Sequence, residues 1–579
     1  MNPVNRAQVK AFSEAFDFGE KSESDQFELY SIYAILNGGS GESVDPFEAH
    51  LLGNEFGLDG VAIIVQGNLV TNPDEAATAL EGIRNPQINF YFIQSKTSAS
   101  FDYGNAAKFF DGVKGFFEDT MVGESPQLDD LIAAKDYLYE NGVKRKNPRL
   151  YCHYVSTGNY ESQPRIERLI ENTKNELSEM SIFEDNQVEI EMVGAAQLQR
   201  LYRAAATASE VKVEFQNNIV LPDHDSVEEG FIGYLPATEL LKIVTSYDED
   251  GEITGINKSV FYDNIRDYNP NSKINKEIIQ NLKNGEYDNF VYRNNGITVV
   301  AKSVDRTGNN FTIEDFQVVN GCQTSSVIFH NREHIDGVQV PFRLIGTKDE
   351  DFIFSIISGT NKQNPVKEEQ FWSLLPFMKN LEEYSRGLPM DDRIYLERRE
   401  NQYRLENIER ARIVQMQPFF KVINSTLLGA PQRAARNYKE EIRNNVDAIF
   451  NEKNDVRPAY AAAYLHYRLE FLWRNQKIPA DTKIYRYHIM SAITRSILGS
   501  KKFSGLKDKQ KIEFAKKLIQ VASDENQMVE IVKNVSKIVG KKLKSMGLAE
   551  TREKLRDNIR SESFFKVVER EYTPDKGSL

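Results

Sequence analysis

Residues 88–96 read INFYFIQSK, a short run of β-branched and aromatic residues that follows Asn85-Pro86 and breaks off into the polar triplet Gln94-Ser95-Lys96. That composition favours a strand. GLDGVAIIV (57–65), RLYCHYVST (149–157) and QVEIEMVG (187–194) have the same character. Between them, ESQPRIERLIENTKNELSEM (161–180) and AAQLQRLYRAAAT (195–207) carry helical patterns, so strands alternate with helices and an α/β domain over residues 1–210 is expected. Upstream, SDQFELYSIYAIL (24–36) places Phe27, Tyr30 and Ala34 near helical spacing, with Ser24 or Asp25 able to cap its start and NGGSGES to end it.

Farther along, VKVEFQNNIV, FIGYLPA, GITVVAK, DFQVVNG and VQVPFRLIG are strand-like, with helices expected around 275–284 and 365–385. A second, mixed α/β domain is therefore expected over 211–400. After about residue 405 nearly every segment, including RPAYAAAYLHYRLEFLWRN (457–475) and KIEFAKKLIQVA (511–522), has the helical period. The expected architecture is α/β multidomain with a helical C-terminal region over 401–579.

Length and composition fit this. The 579 residues exceed what one hydrophobic core organises, and 40% hydrophobic with 27% charged residues is a globular composition. The two cysteines, Cys152 and Cys322, offer neither a disulfide framework nor a four-thiolate zinc site, which fits a reducing compartment. No run approaches the ~18 apolar residues of a membrane span, and MNPVNRAQVKAFSEAF lacks a signal-peptide core, so a cytoplasmic protein without membrane partners is expected. A net charge of −13 argues against nonspecific coating of nucleic acid. Residues 501–560 depart from it, with 16 Lys or Arg against 8 acids. That segment is open to two readings, the solvated faces of amphipathic helices or a nucleic-acid contact surface.

The chemistry that stands out is Glu28 on the first predicted helix, Asp59 at the start of one strand, and Gln94-Ser95-Lys96 at the end of another. Phosphodiester hydrolysis uses a divalent cation to polarise the phosphoryl group and acidify a water, and hard cations take carboxylate and carbonyl oxygens. Glu28 and Asp59 supply carboxylates, while the Gln94 side chain and the Ser95 carbonyl can add ligands. The Lys96 ammonium can orient water or neutralise developing charge. Gln94 and Lys96 share a strand face because side chains alternate. Taken singly, each residue also has a structural role: Glu28 as a solvated helix residue, Asp59 before Gly60 as a turn former, and Lys96 as an exposed strand end.

The ordered set FE…GLDG…QSK resembles the PD-(D/E)xK nuclease superfamily, most closely its Mrr-type branch, in which Gln replaces the second acid. The resemblance covers roughly residues 20–210. It implies a restriction-endonuclease-like core, Mg²⁺ or Mn²⁺ as cofactor, and catalytic roles for Glu28, Asp59, Gln94 and Lys96.

YDNIRDYNPNSKINKEIIQNL (262–282), YRNNGITVVA (292–301), FQVVNGCQTSSVIFHNRE (316–333), SGTNKQNPVKEEQF (358–371) and IYLERRENQY (394–403) are dense in Asn, Gln, Gly and Thr between apolar runs. Over roughly 230–440 these motifs resemble the abortive-infection phage-resistance (AIPR) family, in which the domain often follows a restriction-type nuclease. VVNGCQTSSVI with TNKQNPVKEEQ is similar, more loosely, to the ParB/sulfiredoxin-like fold, whose equivalent loops hold nucleotide phosphates. Physically, Asn320-Gly321 lets backbone approach a ligand, Gln323, Thr324 and Ser325 supply donors at a helix N-terminus, and Asn361 and Gln363 can close the site. Arg266 or Arg293 can add charge, and Arg398 can meet phosphate while its neighbour pairs internally. Equally, Asn320-Gly321 can be a turn whose polar neighbours cap helices.

Several signals carry less. No GxxxxGK[ST] segment exists, so a P-loop engine is not expected. His330 and His334 in HNREH lack the Glu that a metalloprotease motif requires, and Cys322 reads as packing before it reads as a nucleophile.

The expected protein is a divalent-metal nuclease acting on nucleic acid, DNA favoured over RNA, with a nucleotide ligand open for the central domain. The resemblance to AIPR implies an antiphage abortive-infection effector. The rival is a nucleotide- or nucleic-acid-sensing switch protein whose nuclease-like scaffold is inactive. Two phosphodiester cuts need two sites, which a homodimer would provide, although no sequence feature demands one.

Overall fold

The computed structural model describes residues 3–574 except 40–43, 54–55, 84, 144–146, 185–186, 207–208, 248–252, 258–259, 262–272, 286–289, 361–367, 400–401, 404–407 and 546–551. Two compact units form. The first gathers residues 1–32, 45–196 and 367–579, and the second 33–44 and 197–366.

In the first unit, helices α1 (Pro3–Ala15), α2 (Glu23–Tyr33) and α3 (Pro46–Ala49) precede strands β1 (Gly60–Val65) and β2 (Asn68–Val70). Then come α4 (Pro73–Leu80), β3 (Ile88–Lys96), α5 (Tyr103–Phe117), α6 (Pro126–Asn141), β4 (Arg149–Ser156), α7 (Pro164–Glu179) and β5 (Val188–Val193), after which α8 (Ala195–Ala206) belongs to the second unit from residue 197 on. The sheet runs β2-β1-β3-β4-β5, with β1 antiparallel to β2 and β3, and β3, β4 and β5 mutually parallel. Central β3 is buried on both faces, which is why INFYFIQ carries no polar alternation, whereas edge strand β5 exposes Glu189 and Glu191. Phe90, Phe92 and Tyr154 of the sheet pack with Phe109, Phe110 and Phe116 of α5 in one core.

Capping differs from the sequence expectation. Ser22 takes the place given to Ser24 or Asp25: its Oγ accepts from the Asp25 N–H at 3.1 Å. Ser24 is thereby freed to donate to Glu28 Oε1 at 3.0 Å. The α-helical turn ends at Tyr33, and Ala34–Gly39 continue as a π-helix.

The second unit is built on a six-stranded sheet of β6 (Glu210–Glu214), β7 (Asn217–Val220), β8 (Glu229–Pro236), β11 (Ile297–Thr307), β12 (Asn310–Asn320) and β13 (Gln339–Gly346), ordered β6-β12-β11-β13-β8-β7. A two-stranded ribbon, β9 (Thr245–Tyr247) with β10 (Ile253–Ile256), follows α9 (Ala237–Val244). Helices α10 (Lys273–Lys283), α11 (Phe290–Arg293), α12 (Cys322–His330) and α13 (Glu350–Thr360) complete it. Within this six-stranded sheet, among the described residues, only β11 and β13 pair in parallel, and β11–β12 is a long hairpin. The sequence VKVEFQNNIV forms two strands, because Phe215-Gln216 separates the one that pairs with β12 from the one that pairs with β8.

The remaining elements belong to the first unit: α14 (Glu368–Ser373), α15 (Pro376–Arg386), β14 (Tyr395–Glu397), β15 (Ile413–Gln415), α16 (Met416–Thr426), α17 (Pro431–Ala434), α18 (Tyr438–Ile449), α19 (Arg457–Arg474), α20 (Arg486–Leu498), α21 (Asp508–Ser523), α22 (Glu525–Ser545), α23 (Arg552–Ile559) and α24 (Glu562–Tyr572). This region is helical, as its periodicity implies. Pro376 divides the helix expected around 365–385 into two, since proline supplies no N–H to continue the ladder. Charged pairs tie these helices to the N-terminal sheet layer: Arg560 to Asp74 at 2.6 Å, Lys439 to Glu81 at 3.3 Å, and Arg556 to Asp130. No helix among the described residues is long and apolar enough to cross a membrane.

Candidate active site

Asp59 sits one residue before β1, and its backbone N–H donates to Ile93 O of β3 at 2.9 Å. That bond extends the β1–β3 register, which pairs Gly60 with Ile93, so Asp59 stands opposite the Gln94 end of the neighbouring strand. The Ser95 N–H then donates to Asp59 Oδ2 at 2.7 Å.

Glu28 reaches the same place from α2. His50 Nε2 lies 2.8 Å from Glu28 Oε2, and Ser24 holds the other oxygen. His50 is itself fixed by a bridge to Gly60, while the following Leu51 N–H donates to Asp59 O at 2.9 Å.

The two carboxylates feel each other and Lys96. Burial, followed by the Glu28 charge, pushes the Asp59 carboxyl up to about 6, against the Ser95 N–H, Lys96 and His50. Burial also raises Glu28, but His50, Ser24 and Lys96 outweigh it, leaving its carboxyl below the ordinary range. The acids thus have separated proton affinities, an arrangement typical of functional sites.

Gln94 is 2% exposed, and its Oε1 has no hydrogen-bond partner among the described residues. Gly57, at φ +76°, allows this: a Cβ there would stand 3.1 Å from Gln94 Oε1 and 3.2 Å from Phe109 N. On the adjacent parallel strand Tyr154 is in register with Gln94. Its buried hydroxyl is likewise without a partner, and burial, Asp102 and Asp59 push it up to about 12.

Phosphodiester hydrolysis would use a divalent cation, and the oxygen donors present are of the kind a hard cation takes. The Glu28 charge acts on Asp59, and at the end of the adjacent strand the buried Gln94 amide oxygen is left without a donor; such orphaned oxygens are costly unless something satisfies them. Asp25, Glu28 and His50 also offer ligand atoms that all lie within 4.8 Å of one another. Sequence reasoning missed His50 and Tyr154 and treated Asp25 as a cap. Only the strand register, which places Tyr154 beside Gln94, could have pointed to one of them.

In the second unit, Gly321 has φ +98° and precedes α12, and a Cβ there would lie 2.5 Å from Ile297 Cγ1. Asn320 pairs with Thr298 across the hairpin. Thr324 Oγ1 donates to Asn294 Oδ1, ahead of β11, at 3.2 Å, and Ser325 Oγ donates to Gly321 O at 3.1 Å, so both hydroxyls have structural partners. Gln323 lies in the first turn of α12, and Arg293 is exposed at the end of α11. Arg266, Asn361 and Gln363 lie outside the described residues. His330 Nδ1 is 2.8 Å from Ser326 O, and His334 falls in a separate 3₁₀ turn, so the two do not share a helix face.

Arg398 belongs to the first unit and is buried. Its Nε donates to Glu382 Oε2 at 2.6 Å and its guanidinium to Ser373 O at 2.9 Å. Arg398 is thus paired internally, against the phosphate contact expected of it.

Fold and site together define a mixed α/β protein with a carboxylate, amide and lysine cluster at one end of a five-stranded sheet. Residues 261–544 match the family model described as AIPR protein, just under half of the chain. The match reaches past the 230–440 stretch that carries the sequence resemblance, through the helical region and nearly to the end of α22. No curated protein and no solved structure matches the chain.

Proposed function

We propose that the chain is a divalent-metal-dependent nuclease that hydrolyses phosphodiester bonds of nucleic acid, DNA favoured over RNA, as a bacterial abortive-infection effector against phage. The observation that carries this reading is the buried Asp59, tied to Ser95 and sharing its electrostatic surroundings with Glu28 and Lys96, beside the orphaned Gln94 oxygen. The order helix, strand, strand (α2, β1, β3) supports reading this part as a restriction-endonuclease-like core. The defence role draws on the family matched at 261–544, which is associated with abortive infection.

In this reading Glu28 and Asp59 hold Mg²⁺ or Mn²⁺, with Gln94 Oε1 and the Ser95 carbonyl as further oxygen donors. The cation, when bound, polarises a phosphoryl oxygen and acidifies water. Lys96 orients that water or offsets charge developing on the phosphate. His50 fixes the Glu28 carboxylate from behind, as outer partners of metal-binding groups commonly do. Because Asp59 takes up a proton near pH 6, the site is competent at neutral pH and loses its ligand on acidification.

A second reading rests on Gln94, an uncharged amide where an acid would bind metal more tightly. It makes the chain a sensing switch that binds nucleotide or nucleic acid without turnover. Titration with Mn²⁺ in the absence of nucleic acid separates the two. The nuclease reading expects saturable uptake that Asp59→Asn removes, and equal uptake by both proteins would overturn it.

A further inference from the structure

We propose that the exposed face of α22 is a sequence-independent binding surface for the phosphodiester backbone of nucleic acid, a proposal that rests on the nuclease reading above for its biological sense. Lys533, Lys537, Lys541 and Lys544 are all exposed along this helix. At 3.6 residues per turn, Lys533, Lys537 and Lys544 fall within about 40° of one another, with Lys541 beside them; four-residue steps space the charges by about 6 Å, as a row of phosphates requires. None of the four makes an ion pair among the described residues, whereas Lys542, turned off this face, pairs with Glu571 at 3.1 Å. Glu530 is the one acid on the stripe.

Gly540, half-buried, borders the same face, about 20° outside Lys533 at 3.6 residues per turn. A mid-helix glycine is unfavourable relative to alanine, and here packing gives no reason for it, since an added Cβ would meet nothing within 4 Å. A bare backbone between lysines lets a phosphate chain approach the helix closely. An anionic membrane is the poorer partner: the apolar face of α22, Met528, Val532, Val535, Val539 and Leu543, is already buried in the helical core and leaves nothing to insert.

The test is binding of labelled duplex and single strands by the full chain in EDTA, so that cleavage plays no part, over a range of salt concentrations. Changing the four lysines to Gln is expected to weaken binding at least about tenfold at low salt and to flatten the slope of log K against log salt for duplex by about 3.6, given roughly 0.9 per phosphate contact. Gly540→Glu, whose added Cβ meets nothing within 4 Å, is expected to weaken binding several-fold at a melting temperature no lower than that of the wild type. Mn²⁺ uptake by the lysine variant in the absence of nucleic acid is expected to match the wild type, which separates failure of this surface from failure of the active site. Wild-type affinity and slope in the lysine variant would overturn the proposal, as would loss of binding to phosphatidylserine vesicles with nucleic-acid binding intact.

Discussion

The Ser95 backbone N–H donates a 2.7 Å hydrogen bond to Asp59 Oδ2, so the acid preceding β1 is anchored by the strand that carries Gln94 and Lys96. The bond fixes where the buried charge sits without neutralising it. It also makes the geometry of the cluster depend on strand register, and its behaviour on the ionisation of one group.

That ionisation has a measurable consequence for stability. The folded chain protonates Asp59 near pH 6, against an ordinary value of 3.8. Between those values the folded state holds more protons than the unfolded chain, so stability falls as pH rises through the window and the cost is complete above pH 6. A gap of that size is worth at most roughly 3 kcal/mol. Asp59→Asn should therefore melt higher than wild type at neutral pH in EDTA, with the difference closing as pH falls towards 4. Mn²⁺ should raise the wild type alone. A difference that ignored both pH and metal would contradict the assignment.

In the proposed reading Lys96 serves the chemistry and not the fold. Lys96→Gln should lower the turnover number for cleavage by about 10²–10³, the usual loss when a single charge-stabilising group is removed. Metal uptake and melting temperature should stay near wild type. An equal fall in Mn²⁺ affinity would instead make Lys96 part of the site's scaffold.

His50 acts through Glu28, its partner at 2.8 Å. His50→Ala should weaken Mn²⁺ binding about 10–100-fold, the scale seen when an outer partner of a metal ligand is lost. Calorimetric titration checks this, and unchanged affinity would show that Glu28 needs no such support.

Glu382 accepts hydrogen bonds from Arg398, Gln402 and Tyr403 in a buried network. Glu382→Ala leaves the Arg398 guanidinium buried without its counter-charge, and should destabilise the chain by about 3–5 kcal/mol in denaturant unfolding. Replacing Arg398 by Met and Glu382 by Leu together should restore most of that loss.

Much of the strand and helix pattern was legible. β3, β4 and β5 fall where INFYFIQSK, RLYCHYVST and QVEIEMVG place them, because β-branched and aromatic runs between turn residues leave few alternatives. Of the candidate site, the order of Glu28, Asp59 and Gln94 could be read, but their convergence could not. It depends on the register of β1 against β3, which no local signal states. His50 was invisible because it is 22 residues from Glu28 and belongs to no periodic segment. The interleaving of the compact units was equally hidden. Within the first unit, Arg556 pairs with Asp130, several hundred positions away in the chain.

The most direct measurement is cleavage of plasmid, linear duplex and single-stranded DNA and of RNA with Mg²⁺ or Mn²⁺ at neutral pH, comparing wild type with Asp59→Asn. The account predicts product from the wild type only when metal is present, and none from the variant. Full metal-dependent cleavage by Asp59→Asn would contradict it and place the chemistry elsewhere in the chain.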